Sequence, residues 1–370
     1  MHEAIRIQQS KEIDGIQNAV RSVCHTLGLS SQHCNILIRS TIKAVGEEFA
    51  WRHDQNNGMT VNDALSMLDT WGSTVWLFGD SHIRKFLDTL LRLLGADAVT
   101  RRGIGHHKDC TDTCWCPSVF VIHKDQNGAV EKMEWQEQGQ EQQDNTITLV
   151  FHYFIVRSRS MTPDFYANSM LTNVSKFGSY DRPCVFEESS RTIQERIALW
   201  QATQPPMHAL LDPDVVVFNA GNWEANENWT VEEFGREVVE RAKALKTASA
   251  SAKLLFVGPP FYNDAVSSEC ADKVGMKTSQ KVVDFNAAAR ESLQLHTSVE
   301  YLDVLAVTKE GAAEQREFWT SLKWTGGRFE MCANHQIPSM YQVFWQLLTV
   351  KIEGMDEGGA AVDGKGRDGL

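Results

Sequence analysis

Between residues 74 and 94 the hydrophobic pattern changes period once, and that change predicts a strand followed directly by a helix. The run TVWLFG is apolar throughout, as in a strand buried on both faces. After it, Ile83, Phe86, Leu87, Leu90, Leu91 and Leu94 recur at helical spacing and form one face. Further along, Asp214-Val-Val-Val-Phe218 reads as a second buried strand that ends at Asn219-Ala220-Gly221-Asn222-Trp223. Thr230 and Glu233 make a capping box, opening a helix that turns Val231, Phe234, Val238 and Leu245 inward. Lys253 to Gly258 is another strand, stopped by Pro259-Pro260. A helix from about Ser279 to Leu295 leads to a strand over Val299 to Leu305, and a last helix covers roughly Ser339 to Val350. Two more β-prone stretches, Ser118 to His123 and Thr146 to Val156, flank a polar segment around GQEQQDN that reads as a surface loop.

Alternating strands and helices of this length specify an α/β fold with a mainly parallel sheet covered by helices on both faces. The main domain is expected over residues 71–352. Residues 1–70 read as a helical lead-in, with Ile13, Ile16, Val20 and Val23 at helical spacing and breaks at Ser30-Ser31 and Asn56-Asn57-Gly58. The Gly- and Asp-rich stretch 353–370 reads as a disordered tail. No internal repeat is visible. Ligands of such sheets bind beyond the carboxyl ends of the strands. Ser81 and the segment from Asn219 to Trp223 both lie at such ends, so one cleft can hold both.

Composition narrows the partners. A chain of 370 residues with 42% hydrophobic residues can bury a large core. Its net charge of -12, with no basic, aromatic-rich stripe, argues against nucleic acid and against an anionic membrane surface. No apolar run reaches membrane-spanning length, and MHEAIRIQQSKEIDG is too polar for a signal peptide. As written, the chain reads as soluble and intracellular, or as a fragment lacking an upstream targeting segment. Eleven tryptophans serve core packing or stacking on sugar rings. Eight cysteines are compatible with disulfides. Cys110, Cys114 and Cys116, with His106 and His107 upstream, could form a zinc site, but the spacing is not a standard C-x-x-C pair, and a local disulfide or thiols with no role are the readings preferred. Asn173-Val174-Ser175 and Asn228-Trp229-Thr230 are glycosylation sequons that have meaning only in a secretory context.

The candidate chemistry centres on Gly79-Asp80-Ser81-His82. Asp80 occupies the N-cap position of the predicted helix, so Ser81 falls in its first turn, at the positive end of the dipole. Free N–H groups there can stabilise a developing oxyanion, which makes Ser81 a candidate nucleophile. A serine nucleophile needs a base, and His335, just before the last helix, suits that role.

Together these three places resemble the SGNH/GDSL hydrolase superfamily, and more narrowly its PC-esterase branch of polysaccharide and sialic acid O-acetyltransferases. Gly79 to Arg84 matches the strand–GDS–helix block with its early Arg. Asn219-Ala220-Gly221-Asn222-Trp223 matches an N-x-G-x-W block, and His335, Pro338, Phe344 and Trp345 match a late block with a histidine before an aromatic-rich helix. The resemblance implies an SGNH-like three-layer α/β/α sandwich and an acyl esterase or O-acyltransferase, with a glycan or small-molecule acyl ester as substrate and no cofactor or metal. It also implies Ser81 as nucleophile, His335 as base, and Asn219, Gly221 or Asn222 as oxyanion donors beside the Ser81 N–H. Arg84 would orient the loop or touch substrate. A secretory or Golgi location follows from the resemblance alone. The chain departs from the pattern at Cys332, which stands where the family carries an Asp three residues before the histidine. Asp303 and Glu330 lie at other spacings, and the glycine of the family's second block matches only loosely at Gly103 or Gly105.

Two other readings use the same residues. A catalytically degenerate family member would keep the cleft and bind a glycan without turning it over. Alternatively, Asp80, His82 and Asn222 resemble parts of a calcineurin-like two-metal phosphoesterase, though the blocks supplying its remaining ligands are missing.

Overall fold

A computed structural model describes residues 18–22, 24–25, 34, 59–97, 118–135, 145–153, 212–225, 228–264, 277–321 and 335–362. Helix α1 (Val61–Trp71) leads into β1 (Thr74–Gly79), and α2 (Ser81–Leu93) follows after one residue. Three strands come next: β2 (Ser118–Lys124), β3 (Val130–Trp135) and β4 (Thr146–Tyr153). The second half alternates: β5 (Val215–Asn219), a short α3 (Asn222–Ala225), α4 (Val231–Ala248), β6 (Lys253–Val257), α5 (Ser279–His296) and β7 (Glu300–Leu302). Helices α6 (Leu305–Glu310), α7 (Ala312–Ser321) and α8 (Pro338–Val362) complete the order.

The seven strands form one sheet in the order β3-β2-β4-β1-β5-β6-β7. Strands β4, β1, β5, β6 and β7 are parallel, and β2 and β3 extend the sheet antiparallel beside β4. Numbered among themselves in chain order, the parallel strands run 2-1-3-4-5. That is the doubly wound arrangement whose switch point, here between β1 and β5, opens a crevice at the strands' carboxyl ends. The architecture is the three-layer α/β/α sandwich with a mainly parallel sheet expected from the sequence.

Strand alternation distributes the core over two layers. Val75 and Leu77 of β1, Val215 and Val217 of β5, and Leu255 and Val257 of β6 face α1, α2 and α8. Trp76, Phe78, Val216, Phe218, Leu254 and Phe256 face the opposite way, toward α4 and α5. A strand apolar on both faces thus reads as a continuous run, as it does at TVWLF and VVVF.

Helix α8 fixes the site from a distance. Its face of Tyr341, Phe344, Trp345, Leu348 and Ile352 lies in the core. The Trp345 ring stacks on Phe86 of α2, with centroids 3.8 Å apart and planes 8° from parallel. Its Nε1–H donates to the Phe86 carbonyl at 3.0 Å. Trp71 of α1 packs on the same indole at 4.7 Å and donates from Nε1 to Thr349 Oγ1 at 2.9 Å. Aromatic pairs of this kind add about 0.5–1.5 kcal/mol each beyond their burial.

Several boundaries differ from those read in the sequence. The stretch 353–362, read as tail, continues α8 to Val362: Ile352 is fully buried and Met355 packs on the core, carrying the helix past Val350. Strand β7 covers only Glu300–Leu302, because Leu305 already opens α6 after Asp303 accepts its N–H. β3 lies where only a polar connection was expected; it is a sheet edge with Glu131 and Lys132 exposed. Of the lead-in, α1 packs with α2 and α8 in the main core, and a disulfide joins Cys24 to Cys34. Among the described residues no helix is long and apolar enough to cross a membrane.

Candidate active site

The site forms where the start of α2 meets the segment that precedes α8. Asp80 is the N-cap of α2, its carboxylate accepting the His82 N–H at 2.8 Å. This cap fixes the turn that brings the half-buried Ser81 to the carboxyl end of β1. His335 is 3% exposed, and its Nε2 lies 2.7 Å from Ser81 Oγ. The two residues are 254 positions apart, and the Phe86–Trp345 stack between their helices brings them together.

The His335 segment is held from below. Tyr341 Oη accepts the Gln336 N–H at 3.3 Å and lies 3.5 Å from Nδ1 of His82. The buried His82 ring stands edge-on to the His335 ring, with centroids 5.1 Å apart. Tyr341 carried no functional expectation and His82 only that of a metal ligand; an aromatic at helical spacing gives no sign that its hydroxyl props a loop.

On the β5 side, the three candidate oxyanion residues separate by what they already bind. Asn219 clasps Asp80: its Oδ1 accepts the Asp80 N–H at 3.2 Å, and its Nδ2 donates to the Asp80 carboxylate at 3.0 Å. Gly79 lies against this clasp, since a Cβ there would stand 2.0 Å from Asn219 Oδ1. Gly221, at φ +109°, adopts a conformation that side chains disfavour, and its N–H donates to Glu224 Oε2 at 2.8 Å. Asn222 is buried, and its Oδ1 accepts from the Lys277 ammonium at 3.3 Å. Arg84 sits half-buried in the first turn of α2, its N–H donating to the Asp80 carbonyl at 3.1 Å.

Beneath the loop lies a buried ion pair, Glu224 with Arg241 at 3.1 Å, both side chains 2% exposed. Burial raises the Glu224 pKa, while Arg241 and the N–H groups of Glu224 and Gly221 oppose it. Lys277 is 5% exposed, and burial pushes its pKa down to about 8 against the attraction of Asp80 and Glu224. Neither Arg241 nor Lys277 was singled out in the sequence, where each looks like an ordinary surface residue.

The two-metal reading meets a different arrangement. The Asp80 carboxylate is turned to its own helix and to Asn219, His82 lies against Tyr341, and Asn222 already faces a cation. An ammonium at that oxygen would repel a metal ion. Asp303 pairs with Arg290. Residues 103, 105, 106, 107, 110, 114, 116, 173, 330 and 332, which carry other expectations, lie outside the described residues.

No protein-family model matches the chain, and neither does any curated protein sequence. Solved structures similar to it include two acyl-ester hydrolases by their descriptions. A lipase/acylhydrolase from Enterococcus faecalis is 15% identical, over 45% of this chain and 72% of its own, with a TM-score of 0.29. A peptidoglycan O-acetylesterase is 12% identical, over 80% of this chain and 96% of its own, with a TM-score of 0.38. The molecule is a doubly wound α/β sandwich, as its strand order and register define it, with a hydrogen-bonded serine–histidine pair at its switch point.

Proposed function

We propose that the protein is a serine acyl esterase or O-acyltransferase acting on an O-acyl group, foremost O-acetyl, of a carbohydrate. The observation that carries this reading is the 2.7 Å contact between His335 Nε2 and Ser81 Oγ at a helix N-terminus. In this mechanism Ser81 Oγ attacks the acyl carbon while His335 Nε2 takes its proton. The oxyanion is met by the Ser81 N–H, one of the first-turn amides without an intrahelical acceptor, and by the Asn222 carboxamide. Asn219 and Gly221 act indirectly, as the clasp on Asp80 and the bend of the loop. Collapse of the tetrahedral intermediate expels the sugar oxygen, which His335 protonates. The acyl group then passes from Ser81 to water or to another hydroxyl, His335 again accepting a proton from the attacking oxygen. Arg84, one turn from Ser81, takes the remaining role in this reading, orienting the loop or contacting substrate.

A sugar substrate is supported by Trp223, partly buried beside Asn222 in α3 and of a residue type suited to stacking on a pyranose face. The Cys24–Cys34 disulfide suits an oxidising compartment, in keeping with a luminal or secreted enzyme.

Hydrolysis of p-nitrophenyl acetate by wild type and Ser81→Ala, with and without EDTA, tests the proposal. Loss of about 10³-fold or more in the variant, with EDTA without effect, is the expected result. Labelling of wild type by a fluorophosphonate at Ser81, identified by peptide mass, is expected alongside it. A variant that keeps full turnover would remove Ser81 as nucleophile. Wild type that neither turns over nor labels would leave the glycan-binding reading.

A further inference from the structure

Lys277 lies just ahead of the Thr278 N-cap of α5 and is 5% exposed, with its ammonium 5.0 Å from the centre of the Tyr262 ring. Among the described residues, its hydrogen-bond partner is the side-chain oxygen of Asn222, at 3.3 Å. Two buried carboxylates, Asp80 and Glu224, attract it, but both have other partners. Asp80 accepts from the His82 N–H and from Asn219, and Glu224 from the Gly221 N–H and Arg241. Burying an ammonium is costly, and cap, clasp and ion pair are complete without it. The fold therefore has little use for this charge, and its contact is with the residue to which the proposed mechanism gives the second oxyanion donor.

We propose that Lys277 is a positioning residue for the oxyanion site: it grips the carbonyl end of Asn222, turns the Nδ2–H end toward the ester and keeps a positive charge behind that donor. The inference rests on the serine esterase reading above. Its chemical basis is an asymmetry of hydrogen-bonding capacity. An ammonium has three donors and no acceptor, so only the oxygen of a carboxamide can face it. The amide is thereby locked in one of its two flips. A charge in a water-poor site also acts on a developing oxyanion far more strongly than it would in water.

The charge is removable. Because burial brings Lys277 down to about 8, it loses its proton in mildly alkaline solution. The groups facing it are Asp80 and Glu224, which hold the proton on, with Arg241 behind Glu224 and Tyr262 alongside. The neutral amine can still donate to Asn222, but the charge behind the donor is gone. Activity carried by this arrangement declines as pH rises past about 8.

The test compares wild type, Lys277→Met, Lys277→Gln and Lys277→Arg on p-nitrophenyl acetate from pH 6 to 10. Active sites are counted by fluorophosphonate labelling of Ser81, so that only folded enzyme enters kcat. At pH 7, Lys277→Met is expected to lose on the order of 10- to 100-fold in kcat with KM nearly unchanged, a share of the roughly 10²–10³ an oxyanion donor supplies. The alkaline decline near pH 8 should be present in wild type and absent in the Met variant. Lys277→Arg, which keeps a charge through this range, should recover part of kcat and show no decline near pH 8. If the Met and Gln profiles superimpose on that of wild type per labelled site, or if only KM moves, Lys277 is not a positioning residue. If wild-type Ser81 neither labels nor turns over ester, the esterase reading fails and this inference falls with it.

Discussion

Replacing Arg241 by Met keeps most of the buried stem and removes the charge that pairs with buried Glu224 and, at 3.0 Å, with the more exposed Glu237. The pair with Glu224 is 2% exposed on both sides, so the orphaned carboxylate cannot reach water without moving the loop it holds. Breaking a buried pair from one side costs about 3–5 kcal/mol. Glu224 has an escape, because it can take up a proton. Its pKa is already raised by burial, and removing Arg241, the principal opposing influence, raises it further. The native variant then binds one more proton than the unfolded chain, whose Glu titrates near 4.5. Stability is therefore gained as pH falls toward that value, at about 1.4 kcal/mol per pH unit while the native carboxyl is protonated and the unfolded one is not. The expected result is a loss of about 3–5 kcal/mol at pH 7 that is smaller at pH 5. Urea unfolding of both proteins at the two pH values, followed by tryptophan fluorescence, measures it. A penalty below about 1 kcal/mol, or one equal at both pH values, would show that Glu224 is not an enclosed carboxylate dependent on Arg241.

Two other substitutions probe how the halves of the site are held. Gly79→Ala would place a methyl 2.0 Å from Asn219 Oδ1 and 2.4 Å from Ile83 Cγ1, breaking the clasp on Asp80. A loss of about 1–3 kcal/mol in urea midpoint analysis is expected, together with reduced fluorophosphonate labelling of Ser81; normal labelling would show the clasp dispensable. Trp345→Ala removes the ring between α2 and α8 and should cost about 3–5 kcal/mol by the same denaturation measurement, with ester turnover falling even in the fraction that stays folded.

The elements legible in the sequence are those whose burial is decided by their own period. Ile83, Phe86, Leu87, Leu90, Leu91 and Leu94 all lie at 4% exposure or less, as the helical spacing requires. The Thr230 capping box and the VVVF run are equally local signals, and so is the Asp80 cap. β3 was not legible, because an edge strand with one wet face spells VEKMEW, and only its pairing with β2 makes it a strand. The course of α8 past Val350 depends on Ile352 meeting the core, which Gly-rich neighbours obscure. Within the site, Ser81 and His335 could be nominated from their flanks, whereas their distance comes from Trp345 and Phe86, on helices far apart in sequence. Asn219, Gly221 and Asn222 stand almost adjacent in the chain, yet their bonds to Asp80, Glu224 and Lys277 distinguish them. Lys277 and Arg241 have no local signature, since a buried cation is recognised only by what surrounds it.

The contact between Ser81 and His335 also has a temporal meaning. The serine arrives with the first parallel strand, the histidine only with the last helix, 254 residues later. No partly folded chain with α8 undocked can bring them within reach of each other. On the esterase reading, ester cleavage would therefore report completed assembly: a population that has its sheet but not its final helix would be spectroscopically α/β and chemically silent. In a refolding experiment the return of turnover would time the docking of α8, and a lag behind the return of secondary structure would measure how late that step comes.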